Sequence, residues 1–161
     1  MQSTVNTLQC PGIPGDAFDA SPKRALSVQI VPNGSAQPTV GNFATYVSAG
    51  TDPSLVQVGG TGLVAGLVVN GKEYVRQGGL SASLTVSSGA VVAVATMGRY
   101  WVKPETAVTV GNVAAFNSAT GAVAGFATSA AATSGGYIPV DKAEFVAVNA
   151  TSGGMAVVQL G

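Results

Sequence analysis

The chain has 161 residues, enough for one domain with a real core; 47% are hydrophobic, so it is not a disordered segment. Only 9% are charged, seven basic against seven acidic, for a formal net charge of zero. That balance lacks the basic stripe of a nucleic-acid binder, and so sparse a charge supply suits a subunit whose surface is partly buried against other subunits.

Residues 1–25 differ from the rest of the chain. Pro11, Pro14 and Pro22 stand among Gly12, Gly15, Asp16 and Asp19, with few apolar residues. Proline fixes φ and removes a ladder donor, so this stretch is expected to be an extended arm and not a central strand. Two readings stay open for it: a frayed terminus, or an arm that orders on a neighbouring subunit with Phe18 as its apolar anchor. Met1–Asn6 lacks the basic start and apolar run of a signal peptide, so export is not expected. No apolar run approaches the ~20 residues of a membrane span, and no membrane partner is expected. Cys10 stands alone, which excludes an internal disulfide framework.

From residue 26 the pattern is strand after strand. Ser27–Val31 is stopped by Pro32-Asn33-Gly34, and Val40–Val47 by Gly50-Thr51-Asp52-Pro53. Leu63–Val69 runs into Asn70-Gly71, a type I′ hairpin signal, with Lys72–Arg76 as the return strand. Leu80–Ser87 alternates strictly, with Leu80, Ala82, Leu84 and Val86 on one face. Val91–Ala95 is continuously apolar and reads as buried on both faces, and Arg99–Val102 as a further strand. Val108–Phe116, Ala122–Ala127, Ile138–Val140, Phe145–Val148 and Met155–Leu160 come next, while Ala127–Ala132 reads as loop. The expected class is all-β and antiparallel, about ten to twelve short strands in a jelly-roll-like sandwich or barrel.

The domain writes one block twice. Thr39-Val40-Gly41-Asn42-Phe43-Ala44-Thr45-Tyr46-Val47-Ser48-Ala49 returns as Thr109-Val110-Gly111-Asn112-Val113-Ala114-Ala115-Phe116-Asn117-Ser118-Ala119, with seven of eleven positions identical. Each copy is followed by Val-Ala-Gly and a large apolar residue: Val64–Leu67, then Val123–Phe126. A weaker match joins Thr85-Val86 and Val91–Val94 to Pro139-Val140 and Phe145–Val148. Residues 38–103 and 108–160 therefore read as two related β units within one domain, residues 26–161. Two copies are too few for a solenoid.

Chemistry is sparse. Without histidine the chain lacks the commonest general base and metal ligand, and one cysteine makes no zinc site. Asp16 and Asp19 offer too few oxygens for Ca²⁺; Asp141 and Glu144 bracket a predicted turn and read as solvated. Gly60-Thr61-Gly62-Leu63-Val64-Ala65 mimics a dinucleotide-binding turn, but Asn70-Gly71 arrives where the phosphate-binding helix should run. Gly59, Gly60 and Gly62 instead read as a turn at positive φ. Tyr100 and Trp101 fall on opposite faces of a regular strand, so they form no stacking platform. No catalytic residue, metal or cofactor is expected.

Thr4-Val5-Asn6-Thr7, Pro11-Gly12-Ile13-Pro14-Gly15-Asp16-Ala17-Phe18-Asp19 and Ser21-Pro22-Lys23-Arg24 resemble the amino-terminal signature of tailed-phage structural cement proteins, which decorate capsids. The later order of motifs is similar too, most clearly from Trp101 to Val123, and it is weakest over residues 127–161. The resemblance implies a non-enzymatic, jelly-roll-like β protein on the outer surface of the virion capsid. It would bridge capsomers, stabilise the shell against internal DNA pressure, and partner the major capsid protein and its own copies as a homodimer or homotrimer. On this reading Pro11, Pro14, Phe18, Pro22 and Arg24 of the arm are the candidate capsid contacts. Two other classes share the composition: a self-assembling surface or fibre subunit, and a carbohydrate-binding β-sandwich.

Overall fold

The computed structural model describes residues 12–47, 52–71, 84–148 and 154–161. They form β1 (Arg24–Val31), β2 (Phe43–Tyr46), β3 (Leu55–Val58), β4 (Val64–Val68), β5 (Val91–Val102), β6 (Val113–Asn117), β7 (Val123–Phe126), α1 (Ser129–Ser134), β8 (Tyr137–Val148) and β9 (Ala156–Leu160). The hydrogen-bonded order is β1-β3-β2-β4-β5-β9-β8-β6-β7, and β1 also pairs with β5. That extra pairing closes the first five strands into a barrel. The other four extend from β5 as a second sheet. The all-β expectation holds, with one difference of direction: β1 and β3 run parallel. Geometry requires it. A closed ring of five strands cannot be antiparallel throughout, and the other four pairs already are.

β5 is the strand that both parts share. Its first residues pair with β1 and β4, and Gly98–Val102 pair with β9. It replaces the two separate strands expected at Val91–Ala95 and Arg99–Val102. Burial on both faces holds only at the end of Val91–Ala95, where Val94 and Ala95 are buried in the two different cores. Val92 and Val94 point into the barrel, while Val91 is 66% exposed, because a barrel strand has one inner face and one outer face. The barrel interior is packed by Val28, Ile30, Val56, Val68, Val92 and Val94. Their β-branched side chains fit the pleat, and each full burial is worth roughly 1.5–3 kcal/mol.

The second core lies between the barrel wall and the added sheet. Phe43 and Leu67 of the barrel strands join Val102, Phe116, Phe145 and Val158 there, with the Phe43 and Phe116 rings 5.7 Å apart. The repeated block has matching geometry in its two places. Gly41 and Gly111 take φ of +83° and +86°. Phe43 then faces Leu67 and Ala44 faces Gly66, as Val113 faces Phe126 and Ala114 faces Gly125. The weaker match falls on strands with different neighbours: Val91–Val94 pairs with β1 and β4, whereas Phe145 and Val148 pair with β9.

Several local expectations change. Ser129–Ser134, read in part as loop, is a helix: the Thr128 hydroxyl accepts from the Ala131 N–H at 3.2 Å, and Ala132 is fully buried. A cap, an alanine run and a wall to pack on outweigh the short length. Ile138–Val140 and Phe145–Val148 are one strand, β8, with Lys142 at φ +55°. Asp141 and Glu144 therefore flank a bulge inside a strand, and both are exposed. Leu84 sits at φ +53°, which breaks the regular strand expected at Leu80–Ser87; only Thr85 bridges, to Thr39, among the described residues there. Residues 80–83, and the Lys72–Arg76 arm of the expected hairpin, lie outside the described residues. Gly59 and Gly60 have positive φ, +65° and +84°, but Gly62 does not. Gly62 is glycine for space, since a Cβ there would lie 2.6 Å from the Tyr46 carbonyl oxygen. β4 comes directly after this turn, so no helix stands ready for a phosphate.

Candidate functional site

The described part of the arm folds onto its own chain. It lies along the edge of β5 opposite β9. The Gly15 N–H donates to the Trp101 carbonyl at 2.7 Å, the Trp101 N–H to Asp16 at 2.9 Å, and the Phe18 N–H to Arg99 at 2.9 Å. Ala17 faces Tyr100 in this short antiparallel bridge. The seat has side-chain fittings as well. Phe18 meets the Trp101 ring edge-on at 5.3 Å, and Gly12 lies so close to that ring that a Cβ would overlap it. Asn70 donates its N–H to Gly15 at 3.1 Å and its side-chain amide to Asp16 at 3.0 Å. Gly41, the first glycine of the repeated block, faces Pro14, whose Cβ would be 2.6 Å from an added side chain.

One ion pair closes the arm. The Arg99 guanidinium donates to Asp19 at 3.2 Å and, through Nε, to Gln159 at 2.9 Å. Ser21, whose backbone N–H donates to the carboxylate at 2.9 Å, and then Arg99 hold the Asp19 carboxyl below its usual range. Tyr100 points the other way, into the second core, where it is 2% exposed and burial pushes its phenol up. The expected opposition of Tyr100 and Trp101 is therefore present, and Trp101 turns to its own arm.

The five arm residues expected to contact a capsid separate into groups. Pro11 lies outside the described residues. Pro14 and Phe18 are half-buried against the body, whereas Pro22 and Arg24 are exposed. Pro22 borders a shallow groove of about 220 Å³ with Met97, Arg99 and Gln159. Arg24 opens β1 opposite Met97.

A larger feature escaped residue-by-residue reading. Between Ala25 and Gly71 the only charged residue is Asp52, and Leu84–Gly98 has none; these segments build the barrel. Its outer face on β3, β1 and β5 carries Leu55, Gln57, Ser27, Gln29, Val91 and Ala93, alternating with the inward valines. Leu26, Val47 and Leu63 are also exposed on the barrel, Leu63 at 72%. The low charge content hinted at such a surface, but only the strand pairing shows that it is continuous. The remaining described charges lie on the arm, at the end of β5 and on the second sheet. There Asp141, Lys142, Glu144 and Gln159 border a cleft of about 580 Å³. Among the described residues no group of three His, Cys, Asp or Glu side chains is placed to hold a metal ion. No described helix is long and apolar enough to cross a membrane.

The fold has a solved counterpart. A chain from the capsid of Myoviridae phage XM1 superposes with a TM-score of 0.68 at 15% identity, covering 99% of this chain and 98% of that one. No curated protein sequence matches. The sequence model of the family described as structural cement protein (E217 gp24/Pam3 gp6) matches residues 1–161, and the chain belongs to that family of phage structural proteins.

Proposed function

We propose that the protein is a non-enzymatic cement that binds the outer surface of a tailed-phage head, bridges neighbouring capsomers and holds the shell against the pressure of packaged DNA. Membership of the structural cement family over the whole chain carries this reading. The uncharged outer face of the barrel supports it. Burying Leu55 and Val91 removes apolar surface from water, and their neighbours Ser27 and Gln29 strand no charge there. Pro22, just before β1, and Arg24, its first residue, are exposed and extend that contact onto the major capsid protein, and copies of the chain associate as a homodimer or homotrimer.

Stabilisation follows from mass action. A ligand that binds only the closed, expanded shell lowers its free energy by about 2.7 kcal/mol per site at a hundredfold excess over Kd. Many modest sites on one shell add up to large avidity. The test is co-sedimentation of the purified chain with expanded, undecorated heads, followed by heating of the pelleted heads. Saturable binding and a higher temperature of DNA release are expected. No pelleting at micromolar protein, with expansion verified, overturns the reading.

A further inference from the structure

We propose that the edge of β5 at Arg99–Trp101 is an exchange site, on which the arm of a second copy replaces the chain's own and so links copies through strand addition. This goes beyond binding to the capsid and does not require it. Without residues 15–18, β5 presents the Trp101 N–H and the Arg99 and Trp101 carbonyls as an open edge beside an uncovered indole. An open edge of that kind pairs readily with another chain.

The opposite end of the sheet order shows the contrast. The outer edge of β7 is closed by its own chain: the Thr106 hydroxyl both accepts from the Gly125 N–H at 3.0 Å and donates to the Gly125 carbonyl at 3.3 Å, while the Glu105 N–H reaches Val123 at 2.8 Å. That closure follows directly from β5 through a short loop and fills no seat elsewhere. The β5 edge is instead closed by a separable segment. Asp19–Lys23, outside every strand and carrying the exposed Pro22, is all that joins the arm to β1.

Exchange preserves each contact of the seat. A second copy offers the same Gly12 to the Trp101 ring, the same Phe18, the same Asp19 to Arg99 and the same three main-chain bonds. The closed and exchanged forms then differ mainly in linker strain and in effective concentration. High local concentration favours exchange, and crowding on a shell provides it.

The test uses full-length protein in solution, without heads, so its failure leaves the capsid reading untouched. Arg99→Lys keeps the ion pair and places an amine against Asp19. Light and isotopically heavy chains of this variant are mixed in equal amounts at high concentration, pulsed to acid and returned to neutral pH. A carbodiimide then joins carboxylate to amine, and the linked 19–99 peptides are weighed. With exchange, mixed light–heavy pairs appear, up to half of the linked peptides when every arm is exchanged, and the share falls on dilution before the pulse. Only unmixed pairs, at the same linking yield, overturn the proposal, as does the absence of any 19–99 link. The reversed pair Asp19→Lys with Arg99→Asp repeats the measurement if the first variant does not fold. Phe18→Ala is expected to cut the yield of 19–99 links several-fold in either background.

Discussion

The barrel and the added sheet are built around the same repeated strand pair, yet their described surfaces differ in charge. In the barrel, Phe43–Tyr46 pairs with Val64–Val68, and among the described residues from Ala25 to Gly71 and from Leu84 to Gly98 only Asp52 is charged. In the sheet, Val113–Asn117 pairs with Val123–Phe126, and Glu105, Asp141, Lys142 and Glu144 stand around it. The register of this strand pair decides the fold in both places, while the residues around it decide what each part can touch. A surface with charge is comfortable in water; one without it is better matched to another protein.

The largest effects are expected where the two parts join. Phe116→Ala in the second core should cost about 3–5 kcal/mol and Ile30→Ala in the barrel about 2–5 kcal/mol. Because β5 runs through both, calorimetry should show one transition lowered in each variant. Separate transitions would divide the molecule into two independent domains. Gly121 tests the junction itself. Its carbonyl accepts from the Phe43 N–H at 2.8 Å, the neighbouring Ser118 carbonyl accepts from Gly60 at 2.6 Å, and its φ is +72°. A Cβ there would overlap the Phe43 oxygen. Gly121→Ala should therefore cost about 1–3 kcal/mol from the backbone conformation alone and more from the overlap, read as a lowered Tm.

Surface charge sharpens the comparison without unfolding anything. Val91→Lys on the barrel face should change stability by no more than about 0.5 kcal/mol yet weaken sedimentation with heads at least tenfold, since it buries an unpaired amine in the contact. The same charge added at Ala130 of α1, exposed on the second part, should change neither. Equal loss in both variants would contradict the assignment of the contact to the barrel.

The smallest effect concerns the arm. The Asp19 carboxyl is held below the usual 3.8 by Ser21 and Arg99. Its contribution to the closed arm is complete above that value and is lost as pH falls through the lower, folded one. Trp101 is the only tryptophan and lies under the arm, so its emission should shift to the red in that acid range, and Asp19→Asn should remove the shift. An unchanged titration in the variant would assign the acid response to another group.

Much of the fold was legible in the sequence, for identifiable reasons. The all-β class, the repeated block and the opposed Tyr100 and Trp101 follow from local rules of pattern and alternation, but Gly41 and Gly111, read inside the strands Val40–Val47 and Val108–Phe116, turn the chain at positive φ, so those strands start only at Phe43 and Val113. What was not legible depends on partners distant along the chain. Val91–Val102 reads as two strands because Thr96-Met97-Gly98 interrupts the apolar pattern where the strand changes neighbours. The parallel β1–β3 pair arises only when the ring closes. The Thr128 cap was visible, but the wall that makes Ala132 worth burying was not. The arm displays three prolines and no pattern, and its seat is fixed by Trp101 and Asn70, far away in sequence. The uncharged barrel face was present in the composition as an amount and became a surface only through strand order.

The most direct measurement is electron cryomicroscopy of heads decorated with the purified chain. The account predicts the barrel seated on the shell, the outer face of β3, β1 and β5 against the capsid protein, and the Asp141–Glu144 bulge and α1 pointing to solvent. Density with the second sheet against the shell and the barrel face open to water would contradict it.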